Sequence, residues 1–234
     1  MFASLAMLTV AAITTPTVPL DGARLSADSA CYDIVVRGKS VGTTWQRIRP
    51  AEKNGRATWD IVVHQRFADG SFDMRDHFVV DRKTMQPLSL ESDRGKDTTA
   101  KGWHRIRIAY GDRHASGTRQ TAEGTSPIDT NFDHAVWDGN LWGLTFTALP
   151  LKEGATFTVP TWQYDKGLEQ LTVKVVGKEI VHTPSGDVSA WTVMAGGSPD
   201  RLVHYRIAVD APAELGYEAG PFAQVPRGPC VDPS

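Results

Sequence analysis

The stretch FADGSFDMRDHFVV, residues 67–80, decides the fold class. Ala68-Asp69-Gly70-Ser71 joins two β-rich runs and has the residue types of a hairpin turn. Beyond the turn, Phe72, Met74, Phe78 and Val80 fall on one side of the chain, and Asp73, Arg75 and His77 on the other. A period of two belongs to a half-buried strand. Asp76 stands in the apolar phase and breaks it, a conflict that the sequence leaves open.

The same rhythm continues in both directions. Upstream, the runs 32–37, 40–49 and 58–67 are divided by Gly38-Lys39 and by Lys53-Asn54-Gly55. Downstream, strands are expected at 87–92, 103–110, 114–120, 156–163, 168–181, 188–195 and 202–209. In the last of these Val203, Tyr205, Ile207 and Val209 alternate with His204, Arg206 and Ala208. This predicts a mainly β protein of about ten or eleven strands, folded as a sandwich, a barrel or a strongly curved antiparallel sheet. Residues 121–132 read as a polar loop. In 133–149, Trp137, Leu141, Leu144 and Ala148 are spaced four, three and four apart, the spacing of one helix face. Asp133 is the expected N-cap and Pro150 the stop, with Gly139 and Gly143 weakening the helix between them.

The chain has 234 residues, 22% of them charged, with a net charge of −2, which excludes a polybasic nucleic-acid binder or an acidic tail. The apolar run from Phe2 to Ile13 is too short to cross a bilayer as a helix, so no transmembrane span is expected. Its length suits a secretory signal, and residues 1–30 are expected to be a signal peptide or a disordered N-terminal segment. Residues 31–234 then form a single β-rich domain. The two cysteines, Cys31 and Cys230, stand near the ends of that domain. A disulfide between them suits a periplasmic or secreted protein. Two other readings stay open: a lipidated Cys31, for which Asp28 is a poor residue at its position, and two unrelated buried thiols.

Residues 149–193 carry a recognisable series: LPLKEG at 149–154, VVGKE at 175–179, TPSG at 183–186 and AWTV at 190–193. Upstream stand Gly38 and Gly42, Asp81-Arg82 and Pro87. This order resembles the DUF3108 family of exported bacterial proteins, whose activity is undefined. The resemblance implies an envelope location and a half-barrel similar to the lipoprotein carriers of the LolA and LolB type, with a short helix packed as a plug over an apolar cavity. It brings no catalytic residues and no cofactor.

Few residues point to chemistry of their own. None of the seven histidines forms a close-spaced ligand pair and HExxH is absent, so no metal site is expected. Asp129-Thr130-Asn131-Phe132-Asp133 begins like a calcium loop but has His134 where the glycine belongs. There is no GxSxG elbow and no phosphate-binding glycine loop. Carboxylates such as Asp73, Asp76, Asp81, Glu91 and Asp93 are expected to solvate or to pair across strands. Among the seven tryptophans, Trp137 and Trp142 flank the helix-like segment. With Leu141, Leu144 and Phe146 they form the expected lid of a ligand cavity.

The sequence therefore favours a binding protein over an enzyme, taking a lipid or another hydrophobic or amphiphilic small molecule. The alternatives are an envelope scaffold with a solid core and a protein partner, or a hydrolase built from several strands.

Overall fold

A computed structural model describes residues 18–232; of the expected signal or disordered segment 1–30, residues 1–17 lie outside them, whereas the remainder belongs to the folded domain, with Leu25 in the core and the first strand already begun at Asp28. After a single 3-10 turn at Gly22–Arg24, the first half of the chain is a run of eight strands. They are β1 (Asp28–Val36), β2 (Lys39–Lys53), β3 (Arg56–Phe67), β4 (Asp73–Asp81), β5 (Pro87–Arg94), β6 (His104–Gly111), β7 (His114–Thr121) and β8 (Gly124–Asn131). A two-residue strand, β9 (Trp137–Asp138), and one short helix, α1 (Trp142–Thr147), follow. The second half comprises β10 (Thr156–Gln163), β11 (Gly167–Thr183), β12 (Gly186–Gly196), β13 (Val203–Ala208), β14 (Glu214–Ala219) and β15 (Phe222–Pro226).

All fifteen strands make one sheet, in the order β8-β7-β6-β5-β4-β3-β2-β1-β15-β14-β13-β12-β11-β10-β9. β1–β8 and β10–β15 are each an antiparallel meander, and the two are joined where β1 pairs antiparallel with β15, Tyr32 opposite Pro226. The first and last strands therefore lie in the middle of the sheet, and its free margins are β8 and β9. Those margins are successive in the chain. Only 132–136 separate them, a span of at most about 20 Å when fully extended. A fifteen-stranded sheet can satisfy that only by rolling up. Side chains complete the closure: Trp162 of β10 meets Tyr110 and Phe132 edge-on, at ring-centroid distances of 5.9 and 5.6 Å. The Tyr110 hydroxyl donates to Asp138 Oδ2 at 2.6 Å. Tyr110→Phe should cost about 1–2 kcal/mol in urea unfolding, because it removes this tie between the rolled margins.

The count of fifteen replaces the expected ten or eleven. The four strands that the sequence concealed are β8, β9, β14 and β15. The supposed loop 121–132 is largely β8, an outer-margin strand that is exposed along most of its length and carries Pro127, a residue at home on a sheet edge. The expected helix over 133–149 shrinks to six residues. Trp137 and Asp138 instead extend the sheet, pairing in parallel with Thr161 and Trp162. Asp138 Oδ1 then accepts from the Asn140 backbone N–H at 2.8 Å, turning the chain before α1 begins. The N-cap is Leu141, which has no side-chain capping bond, rather than Asp133.

The disulfide joins Cys31 to Cys230, with their Cα atoms 6.0 Å apart. It links the first strand to the segment that follows the last one, in mid-sheet rather than at the free margins. It fastens the tail beyond β15 onto the outer face of mid-sheet strands, beside Trp45 and Val62. The Arg227 N–H donates to the Cys31 carbonyl at 2.9 Å, and Asp232 Oδ1 lies 2.9 Å from His64 Nδ1.

Inside the roll, Trp59, Ile61, Phe78, Val80, Leu90 and Ile106 from one half face Leu171, Val173, Val175, Val193 and Ile207 from the other. The segment between the margins fills the space between them. Val136, Trp137, Leu141, Leu144, Phe146 and Leu149 are all buried in this core. The plug is thus part of a packed interior, and no described helix is long and apolar enough to cross a membrane.

Candidate functional site

Along β2, Thr44 and Gln46 share the inward phase of Ile48, and all three are buried. On β15, Gln224 is also buried. These polar side chains interrupt the apolar lining beside α1. A cavity of about 250 Å³ remains there, bounded by Thr44, Gln46, Val63, Gln65, Leu141, Trp142, Leu144, Gln163, Tyr205, Glu214, Tyr217 and Gln224, with Lys166 also on its lining.

Three of the five residues expected as a lid, Leu141, Trp142 and Leu144, line this cavity. The other two do not. Trp137 is turned into the core, its indole N–H donating to the Thr84 carbonyl at 3.0 Å. Phe146 lies behind the wall, edge-on to Tyr205 with ring centroids 5.0 Å apart. The aromatic surface comes instead from Trp142, Tyr205 and Tyr217, with centroids 6.5 Å apart for the first pair and 5.4 Å for the second.

The electrostatics centre on Glu214. As a residue it is half-buried, yet its carboxyl lies against Gly143 of α1, where any β-carbon would overlap it. Burial with no cation beside it pushes this carboxyl up to about 7. Its proximity also helps to raise the hydroxyls of Tyr205, well above the usual range, and Tyr217, to about 12, although burial is the larger cause for both. Three further polar atoms on the lining side chains have no hydrogen-bond partner among the described residues: Thr44 Oγ1, Trp142 Nε1 and Gln163 Oε1. The opposite end of Gln163 is engaged, its amide donating to the carbonyl of Gly139 and to Asn140 Oδ1. Unpaired buried polar groups are costly, and most native proteins hold few of them. The side chains that carry these three atoms, together with Glu214, line one cavity with an aromatic wall.

A larger hollow of about 400 Å³ opens near the rolled margins, beside Arg56, Leu88, Tyr110, Arg113, Phe132 and Val136. None of the unpaired buried atoms lies on its lining, and Arg56 already faces Asp81 at 3.7 Å. The α1 cavity is the better candidate.

The groups weighed for catalysis have other partners. Ser92 Oγ sits 3.2 Å from His104 Nε2, and a hydrogen bond from Ser92 partly offsets the burial that drives Asp76 up to about 7. The serine lies between acid and imidazole and is itself almost fully buried. A nucleophile needs the imidazole between serine and acid and a path to substrate, and this trio provides neither. Asp76 thus resolves the conflict in its strand: it does face inward, with burial pushing its carboxyl up to about 7. His77 pairs with Asp60, His114 with Asp129, His182 with Asp187 and His204 with Glu179. Asp93 and Glu91 meet Arg107. No three His, Cys, Asp or Glu side chains among the described residues form a metal-holding group.

The sequence reading missed Glu214, Tyr205, Tyr217 and the inward glutamines. A signal existed for Thr44 and Gln46, two polar residues in phase with Ile48. None existed for Glu214, whose strand was itself unforeseen.

A family model described as a protein of unknown function, DUF3108, matches residues 31–212. Among solved structures, a β-barrel-like protein of the domain of unknown function DUF1849 from Brucella abortus is similar over 85% of this chain and 94% of its own. The identity is 10% and the TM-score 0.48. No curated protein matches the sequence.

Proposed function

The chain belongs to the DUF3108 family, and from its geometry we propose that it is an exported binding protein that holds an amphiphilic small molecule in the cavity beside α1. The observation that carries this reading is the set of unpaired polar atoms on Thr44, Trp142 and Gln163, gathered around one aromatic-walled space. With those side chains turned toward the space, a bound molecule with both donors and acceptors would pair with them, offsetting the cost of leaving them unsatisfied. The volume, about 250 Å³, falls just below the usual range of small-molecule sites and suits a compact metabolite or head group better than a whole lipid. An apolar ligand deep in the roll is not proposed, because Phe146, Leu149 and their neighbours occupy that space. The disulfide supports a periplasmic or secreted setting.

Native mass spectrometry of protein purified without refolding from its own host tests this reading. A stoichiometric small-mass adduct is expected, and it should be lost in Gln65→Trp, which fills the cavity from β3. No adduct, or one that survives Gln65→Trp, would remove the proposal and leave the solid scaffold.

A further inference from the structure

The geometry points to an organic cation as the ligand: an ammonium group seated against Glu214 among the rings of Trp142, Tyr205 and Tyr217. This rests on the α1 cavity being a binding site and adds the chemical class.

Glu214 is an acid lining the cavity, with no cation or hydrogen-bond donor paired to its side chain among the described residues. Lys166 also lines the space but is exposed at its solvent side, where its charge is screened. Aromatic faces carry the negative end of a ring quadrupole, and three such rings around a carboxylate attract an alkylated ammonium more strongly than a neutral molecule of equal shape. Gly143 contributes by absence. With no side chain there, the carboxyl lies flush with the first turn of α1 and the space before it stays open. An anion would meet Glu214 and the ring faces with like sign. A neutral sugar could stack on the rings but would leave the acid uncompensated.

The test is isothermal titration of the full chain at pH 8 with choline and with its neutral isostere 3,3-dimethylbutan-1-ol. Choline should bind at least tenfold more tightly. Glu214→Gln and Tyr217→Leu should each erase most of that preference, with melting curves confirming that both variants fold. Equal binding of the two probes, or binding of neither, overturns the cation assignment. If the native adduct still disappears in Gln65→Trp while choline fails, the binding site stands and only its ligand class is wrong. If no adduct is found either, both fall.

Discussion

Replacing Cys31 and Cys230 together by serine lowers the melting temperature by roughly 10–20 °C. The bridge closes a loop with a sequence separation of 199. In the chain-entropy account, opening a loop of that length frees the unfolded ensemble by about 5 kcal/mol. For a domain of this size each kcal/mol corresponds to roughly 2–4 °C. The folded state should survive the cut, because β1 and β15 remain paired in register and Asp232 still reaches His64. The loss therefore falls on the unfolded side. Calorimetry of the oxidised protein and the double serine variant checks this. A difference of only a degree or two would mean that the bridge constrains little that the unfolded chain does not already constrain.

The second large effect is a loss of stability as pH rises. Asp76 and Glu214 are each pushed up to about 7, chiefly by burial. A raised carboxyl keeps its proton in the folded state after the unfolded chain has released it. The stabilising contribution is therefore complete below the unfolded values, near 4, and is lost as pH rises toward 7. Between pH 5 and pH 7 each acid should cost about 2 kcal/mol. Asp138, also raised by burial, acts in the same direction. His104, lowered first by burial and then by Arg94, opposes them, since a histidine held neutral stabilises the fold as pH rises. The carboxyls held low, such as Asp60 and Glu179, titrate below this window. Asp76→Asn and Glu214→Gln should each flatten the profile of unfolding free energy against pH and raise stability at pH 8. A profile unchanged by both substitutions would show that neither acid is neutral in the folded protein.

The sequence revealed strands wherever one face was apolar and the other polar. Phe78 and Val80 against His77, or Tyr205 and Ile207 against His204 and Arg206, leave little choice of structure. β8 escaped because it has almost no buried face, so no alternation marks it. β14 and β15 are five or six residues long, with Gly216 pressed against the Gln224 carbonyl, too short for a period to show. The helix was overextended because Trp137 has helical spacing from Leu141 yet is claimed by the open edge of β10, a tertiary contact that spacing cannot reveal. The site was half-visible for the same reason. Leu141, Trp142 and Leu144 belong to a local segment, whereas Glu214, Tyr205 and Thr44 reach the cavity only once β1 and β15 bring the two meanders together.

The most direct test of the α1 cavity is a crystal structure of the protein purified from its own host and never unfolded. Continuous density for a small molecule should occupy the space between Trp142 and Tyr217, within hydrogen-bonding distance of the Glu214 carboxyl and Trp142 Nε1. Trp142 folded into a collapsed cavity, or a space holding water alone, would contradict it.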